Sequence, residues 1–204
     1  MSFEVDVCLR TDACSIDASL LSQAIERGLQ VEGVTTAVIS VTIVDNTTIH
    51  RLNREHLQHD YPTDVISFQL DWSAADRSTP GAGATERSLG ASVEGEIVAS
   101  AEYAAEMAAR CGWDAQRELT LYVIHGMLHI CGYDDLTPAE KGIMRAREKA
   151  VLAELGLSPQ YPDDETEDAE PPPLPGGLPQ ADAPLPDATN FRAESDDASA
   201  EGRR

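Results

Sequence analysis

An α+β (α/β-like) domain on a mixed sheet is the fold class this sequence predicts, and three observations carry the prediction. Segments with the two-residue alternation of strands interleave with segments of helical spacing, four of the first kind and about five of the second. Four of the helical segments stop at a glycine (Gly33, Gly112, Gly132 and Gly156). The pattern ends near Leu157, so residues 1–157 read as a single folded domain and residues 158–204 as a disordered tail.

Phe3 to Arg10 alternates polar residues with Val5, Val7 and Leu9, as a half-buried strand does. Ser15 or Asp17 caps a helix whose apolar positions Leu20, Leu21, Ala24, Ile25 and Leu29 share one face, and Gly33 stops it. Thr36 to Val44 is dense in β-branched residues, which favour strands. Asp45-Asn46-Thr47 supplies caps for a helix through Ile49, Leu52, Asn53 and His56. Asp64 to Leu70 reads as the third strand, Asp71 to Ser92 (with Pro80-Gly81-Ala82-Gly83) as a loop, and Gly95 to Ser100 as the fourth strand. A helix then runs from Ala101 to Arg110, and a second, capped by Asp114, carries Leu119, Tyr122, Val123 and Leu128 on its apolar stripe. Thr137-Pro138 opens the last helix, which ends at Leu155 before Gly156.

Composition narrows the function. The 204 residues carry a net charge of −21, with 15 Lys+Arg against 36 Asp+Glu. The tail from Ser158 onward holds nine of the twelve prolines, twelve acidic residues and three basic ones, too little apolar surface to offset its ordering entropy. No run of about 18–20 apolar residues fits a membrane, and Met1-Ser2-Phe3-Glu4-Val5-Asp6 is not the start of a secretory signal. Cys8, Cys14, Cys111 and Cys131 have no paired spacing, which argues against a zinc knuckle or a disulfide framework and leaves a cytoplasmic location as the expectation. A pI near 4.4 speaks against a large basic face for nucleic acid.

The chemistry concentrates in His125-Gly126-Met127-Leu128-His129-Ile130-Cys131-Gly132-Tyr133-Asp134-Asp135. Two histidines four apart on a helix project from one face, one turn apart. Gly132 breaks the helix, so an acidic side chain shortly afterwards reaches back to the same point. Two neutral nitrogens and one carboxylate leave a fourth position for water, the layout of a catalytic zinc site rather than a structural one. A metal there lowers the pKa of its water and polarises a phosphoryl or carbonyl oxygen. Zinc proteases carry a glutamate general base directly after the first histidine; Gly126 in that place disfavours a peptidase. Cys131, two residues past His129, falls on the far side of the helix and reads as a small buried residue.

The stretch from His125 to Asp135 resembles the H-G-x-L-H-x-x-G-Y-D-H motif of the YbeY family. Asp60-Tyr61-Pro62-Thr63-Asp64-Val65-Ile66-Ser67-Phe68 is similar to that family's D-x-P-T-D-V-L-S-F segment, Gly95-Glu96-Ile97-Val98 to its G-D-I-V strand, and Leu52-Asn53 to its L-N pair. The resemblance spans residues 3–155. It implies a mixed four-stranded sheet flanked by helices, and a metal-dependent, single-strand-specific endoribonuclease acting in rRNA maturation and ribosome quality control. It further implies one zinc ion per chain, with His125, His129 and Asp135 as ligands, and ribosomal RNA and the small ribosomal subunit as partners.

Two positions depart from the family pattern. Asp135 stands where the family has its third histidine, and the exchange lowers the charge of the metal centre by one unit. Asp134, an aspartate in the family too, reads as a capping or supporting carboxylate. The family's L-N-x-x-Y-R segment carries an arginine assigned to the substrate phosphate, and His56 and Leu57 replace its last two residues. Leucine cannot grip a phosphate. Arg54, three residues earlier on the same helix face, is the candidate catalytic replacement. The acidic domain repels a polyanion unless a local basic strip of Arg51 and Arg54, joined by Arg145, Arg147 and Lys149, concentrates on one side. The alternative to a nuclease is a ribosome-assembly factor with a structural metal and weak or no cleavage.

Overall fold

The computed structural model describes residues 1–73, 87–159 and 161. The β-branched run forms strand β2 (Thr36–Val44) at the middle of the sheet, because Ala37, Ile39, Val41 and Ile43 all point to one buried face. It pairs in parallel with β1 (Ser2–Leu9) on one side and β4 (Ser92–Ser100) on the other; β3 (Val65–Ser73) closes the sheet antiparallel to β4. The spatial order is β1-β2-β4-β3, the mixed four-stranded sheet expected.

Five helices complete the described fold: α1 (Ala18–Val31), α2 (Asn46–Leu57), α3 (Ala101–Cys111), α4 (Ala115–Ile130) and α5 (Pro138–Glu154). Asp17, not Ser15, caps α1 by accepting from the Ser19 amide, and Asp45, Ser100, Asp114 and Thr137 cap the others. One core joins Leu21, Ile25 and Leu29 of α1, the inner face of the sheet, the apolar residues of α4 from Leu119 to Ile130, and Met144, Val151 and Leu152 of α5. Each such Leu or Ile contributes about 1.5–3 kcal/mol by leaving water. A smaller cluster of Val44, Ile49 and Ile66 lies under α2, with Leu52, Phe68 and Val98 packed against it. Glu94 and Glu96 alternate with the buried residues of β4 and are exposed, as the strand pattern requires.

Two strand boundaries differ from expectation by several residues. The third strand continues beyond Leu70 to Ser73, and the fourth begins at Ser92 rather than Gly95. A register shift between Gln69 and Asp71 explains both, since an extra residue breaks the alternation while Asp71↔Glu94, Trp72↔Val93 and Ser73↔Ser92 still pair. Gly95 is a strand interior rather than a strand start: a Cβ there would sit 2.6 Å from Ile130 Cδ1 and 2.8 Å from the Phe68 carbonyl oxygen, so the glycine lets α4 lie close on the sheet. The middle of the expected loop (74–86) and nearly all of the expected tail lie outside the described residues. Among those described, no helix is long and apolar enough to cross a membrane.

Candidate metal centre

Helix α4 is the buried spine of the domain, and its last two turns carry His125 and His129 on a partly exposed face. Residue 126 faces the sheet instead: a Cβ there would lie 3.1 Å from Ile97 Cγ2 and 3.3 Å from Val65 Cγ2. A glutamate at 126 would be driven into that contact and could not reach the histidines, which is the steric counterpart of the missing protease base. The helix ends at Ile130, and Gly132 at φ 87° turns the chain back, with Tyr133 N donating to Leu128 O (3.1 Å).

Tyr133 staples that turn. Its hydroxyl donates to Glu32 Oε2 (2.6 Å), and Glu32, buried at the end of α1, also accepts from Arg147 Nε (2.9 Å) and Nη2 (2.7 Å). Arg147 therefore turns inward to an ion pair and is not available to a basic surface strip. Arg87 Nη1 donates to the Gly132 carbonyl (2.8 Å), with the guanidinium 5.1 Å from the Tyr133 ring centre. The Asp135 amide donates to Asp134 Oδ1 (2.8 Å), so Asp134 caps the turn and Asp135 turns to the histidines.

His125, His129 and Asp135 converge, with donor atoms within 4.8 Å of one another. His125 Nε2 lies 3.7 Å from Asp135 Oδ2, and His129 Nε2 lies 3.8 Å from Asp135 Oδ1. Each imidazole has its other nitrogen occupied: His125 Nδ1 is 2.6 Å from Glu148 Oε1, and His129 Nδ1 is 3.0 Å from the Tyr133 carbonyl oxygen. Both of these partners are acceptors, so each Nδ1 carries a hydrogen and each neutral ring turns its Nε2 lone pair inward. The two Nε2 atoms are 3.0 Å apart. Two lone pairs and a carboxylate aimed at one point repel unless a cation or a shared proton lies between them. The donor set and its outer hydrogen bonds fit a divalent ion.

The titration directions have the same origin. Burial pushes His125 down, but the Glu148 hydrogen bond and charge, aided by Asp64 and Asp135, outweigh it and the net direction is up. Burial and the neighbouring His125 push His129 down, against Asp135, the Tyr133 carbonyl and Asp134. Burial would raise Glu148, but His125, the Tyr161 hydroxyl and Arg145 hold it below its ordinary value.

Glu148 is the site residue that motif reasoning missed. Its signal is present in the sequence: an acid between Met144, Val151 and Leu152 on the apolar stripe of α5, only 3% exposed. Asp64 anchors the α2–β3 connection, accepting from Thr63 Oγ1 (2.9 Å) and the Val65 amide (2.8 Å), while its carbonyl accepts from the Ser100 amide (2.9 Å). Cys131 is fully buried, its thiol pushed up to about 12 mainly by burial, and it takes no part in the cluster. Arg54 lies exposed on α2 with Nη1 3.8 Å from Asp60 Oδ1, its recorded ion pair being with the loop and not with the histidines. Leu57, in the family's arginine place, ends the same helix and is 47% exposed.

Two histidines and a carboxylate on a helix end beside a mixed sheet form the donor set that hydrolytic metal sites use. The chain belongs to the YbeY endoribonuclease family: the family model described as Endoribonuclease YbeY matches residues 8–156. Among curated relatives named "Endoribonuclease YbeY", that of Rhodopirellula baltica is 40% identical over 147 residues, 71% of this chain and 68% of the relative. That of Roseiflexus sp. is 40% identical over 149 residues (72% and 88%), and that of Bacillus velezensis 38% over 166 residues (78% and 99%).

Proposed function

We propose that this chain is a cytoplasmic, metal-dependent endoribonuclease that cuts single-stranded RNA in rRNA maturation and ribosome quality control, working on the small ribosomal subunit. One zinc ion is held by Nε2 of His125, Nε2 of His129 and a carboxylate oxygen of Asp135. The observation that carries the reading is the pair of inward-facing Nε2 atoms 3.0 Å apart, each with Nδ1 locked on an acceptor, in a chain of an endoribonuclease family. Bound there, the ion supplies Lewis acidity toward a phosphoryl oxygen and lowers the pKa of water.

The rest of the work falls to the protein. Glu148 sets the plane of the His125 ring, and the Tyr133 carbonyl, held by the Glu32–Arg147 anchor, sets that of His129. The side chain of Asp135 is 38% exposed, which leaves one side of the cluster open to substrate. Arg54 is the proposed phosphate contact in place of the family's arginine. The domain of residues 1–157 is proposed to act with the acidic segment 158–204 as its tail, whose start at Tyr161 still rests on the domain. A ribosome-assembly role with a structural metal is the second reading, favoured by the leucine at position 57.

Metal-loaded protein incubated with single-stranded RNA and with casein, beside His129→Ala and Arg54→Ala, separates the readings. The nuclease reading expects RNA cleavage that is lost in His129→Ala and strongly reduced in Arg54→Ala at unchanged metal content. Casein cleavage would favour a peptidase. No cleavage, with co-sedimentation on small subunits, would favour the assembly factor. Unchanged turnover in Arg54→Ala would discard the role given to that arginine.

A further inference from the structure

The segment that follows α5 comes back to the metal centre. Leu155 and Gly156 close the helix, and Leu157 N donates to Leu152 O (2.9 Å) as the chain reverses. Leu157 and Tyr161 both pack against the main core. The Tyr161 hydroxyl donates to Glu148 Oε2 at 2.6 Å, and the other oxygen of the same carboxylate meets His125 Nδ1 at 2.6 Å. Two cations of α5 approach the Tyr161 ring, Arg145 Cζ at 4.6 Å and Lys149 Nζ at 5.1 Å from its centre. Tyr161 lies past the end of the span matched by the family model, at the threshold of the Pro-rich acidic segment.

We infer that Tyr161 is a positioning residue of the metal centre, acting on His125 through Glu148. A carboxylate orients an imidazole only while its own plane is fixed, and a single hydrogen bond leaves it free to rotate about its last side-chain bond. Tyr161 supplies the second restraint on the far oxygen. The two cations beside the ring restrain the ring in turn. The first residues beyond α5 thereby become part of the ligand scaffold, in a line Tyr161–Glu148–His125 that ends at the metal. The inference rests on the assignment of His125 as a ligand.

The test uses the full chain loaded with cobalt(II), reading the visible absorption band and the dissociation constant by chelator competition for wild type, Tyr161→Phe, Glu148→Gln and the double variant. Phenylalanine keeps the ring beside its cations and removes only the hydroxyl. Tyr161→Phe is expected to weaken cobalt binding roughly threefold to tenfold, less than the about 10–100-fold typical of losing an outer carboxylate itself, and to shift the band. In the Glu148→Gln background the same change should cost less than in the wild type, since the hydroxyl there meets a neutral amide through a weaker hydrogen bond. Melting in chelator reports whether Tyr161→Phe remains folded. Wild-type affinity and spectrum in folded Tyr161→Phe would overturn the inference, as would an equal loss in both backgrounds. A wild-type chain that takes up neither cobalt nor zinc would overturn the metal assignment, and the role of Tyr161 with it.

Discussion

Glu148→Gln separates the charge of the buried carboxylate from its shape. The side chain is 3% exposed and holds two partners, His125 Nδ1 and the Tyr161 hydroxyl, each at 2.6 Å. Glutamine has the same length, and its amide oxygen still accepts from His125 Nδ1 while its NH₂ group faces a hydroxyl that can turn to accept. Both hydrogen bonds therefore survive as neutral ones. A hydrogen bond to a charged group contributes about 1.5–3 kcal/mol and a neutral one about 0.5–1.5, a loss of about 1 kcal/mol at each contact. Two contacts give about 2 kcal/mol of folding stability. Zinc affinity should fall by the about 10–100-fold typical of losing an outer partner of a metal-binding histidine, because a neutral amide no longer offsets the charge of the ion. Zinc affinity by competition with a chromophoric chelator measures the effect directly, and RNA cleavage should fall with it when zinc is limiting. A folded Glu148→Gln chain with wild-type zinc affinity would show that Glu148 is packing polarity and that the ring of His125 is oriented by something else.

Two further outcomes follow from the scaffold. Glu118 is buried on α4, where burial raises its pKa against hydrogen bonds from Tyr122 and Trp113, with the charge of Asp64 adding to the rise. Below the ordinary value of 4.5 both folded and unfolded chains hold the proton and nothing is lost; as pH rises the unfolded chain ionises first, so folding stability falls until the folded pKa is passed. Glu118→Gln removes that penalty, so its melting temperature should exceed wild type at about pH 8 and match it at about pH 4, and a gap independent of pH would contradict the reasoning. Gly95→Ala forces a Cβ to 2.6 Å from Ile130 Cδ1 and 2.8 Å from the Phe68 carbonyl. It should cost about 1–3 kcal/mol by overpacking, read from the urea midpoint, and an unchanged midpoint would mean that α4 can lift from the sheet without loss.

The parts of this protein that were legible from sequence are those whose physics is local. Caps such as Asp45 and Asp114, the glycine stop at Gly132 and the alternation of Thr36–Val44 each act within a few residues and ended where expected. The approach of His125, His129 and Asp135 was also local, since one helical turn and one left-handed glycine bring them together. What escaped was set by distant partners. The strand beyond Leu70 is fixed by pairing with β4 across a bulge, so its own polar residues hide it. Arg147 looks like a surface cation until Glu32, 115 positions away, draws it in. Glu148 stood as an anomaly in an apolar stripe, and only the meeting of α5 with α4 gives the anomaly its partner. Arg54 remains a reading of sequence position alone, because its recorded ion pair is with Asp60.

The account stands on a divalent ion bound jointly by three side chains, and metal analysis of the purified full-length chain beside His125→Ala, His129→Ala and Asp135→Ala tests it most directly. The account predicts about one zinc-type ion per chain in the wild type and a substoichiometric content in all three variants, each still folded by circular dichroism, with RNA cleavage lost in step. A wild-type chain that holds no metal after loading, or a His129→Ala chain that keeps its metal and cleaves RNA at the wild-type rate, would contradict it.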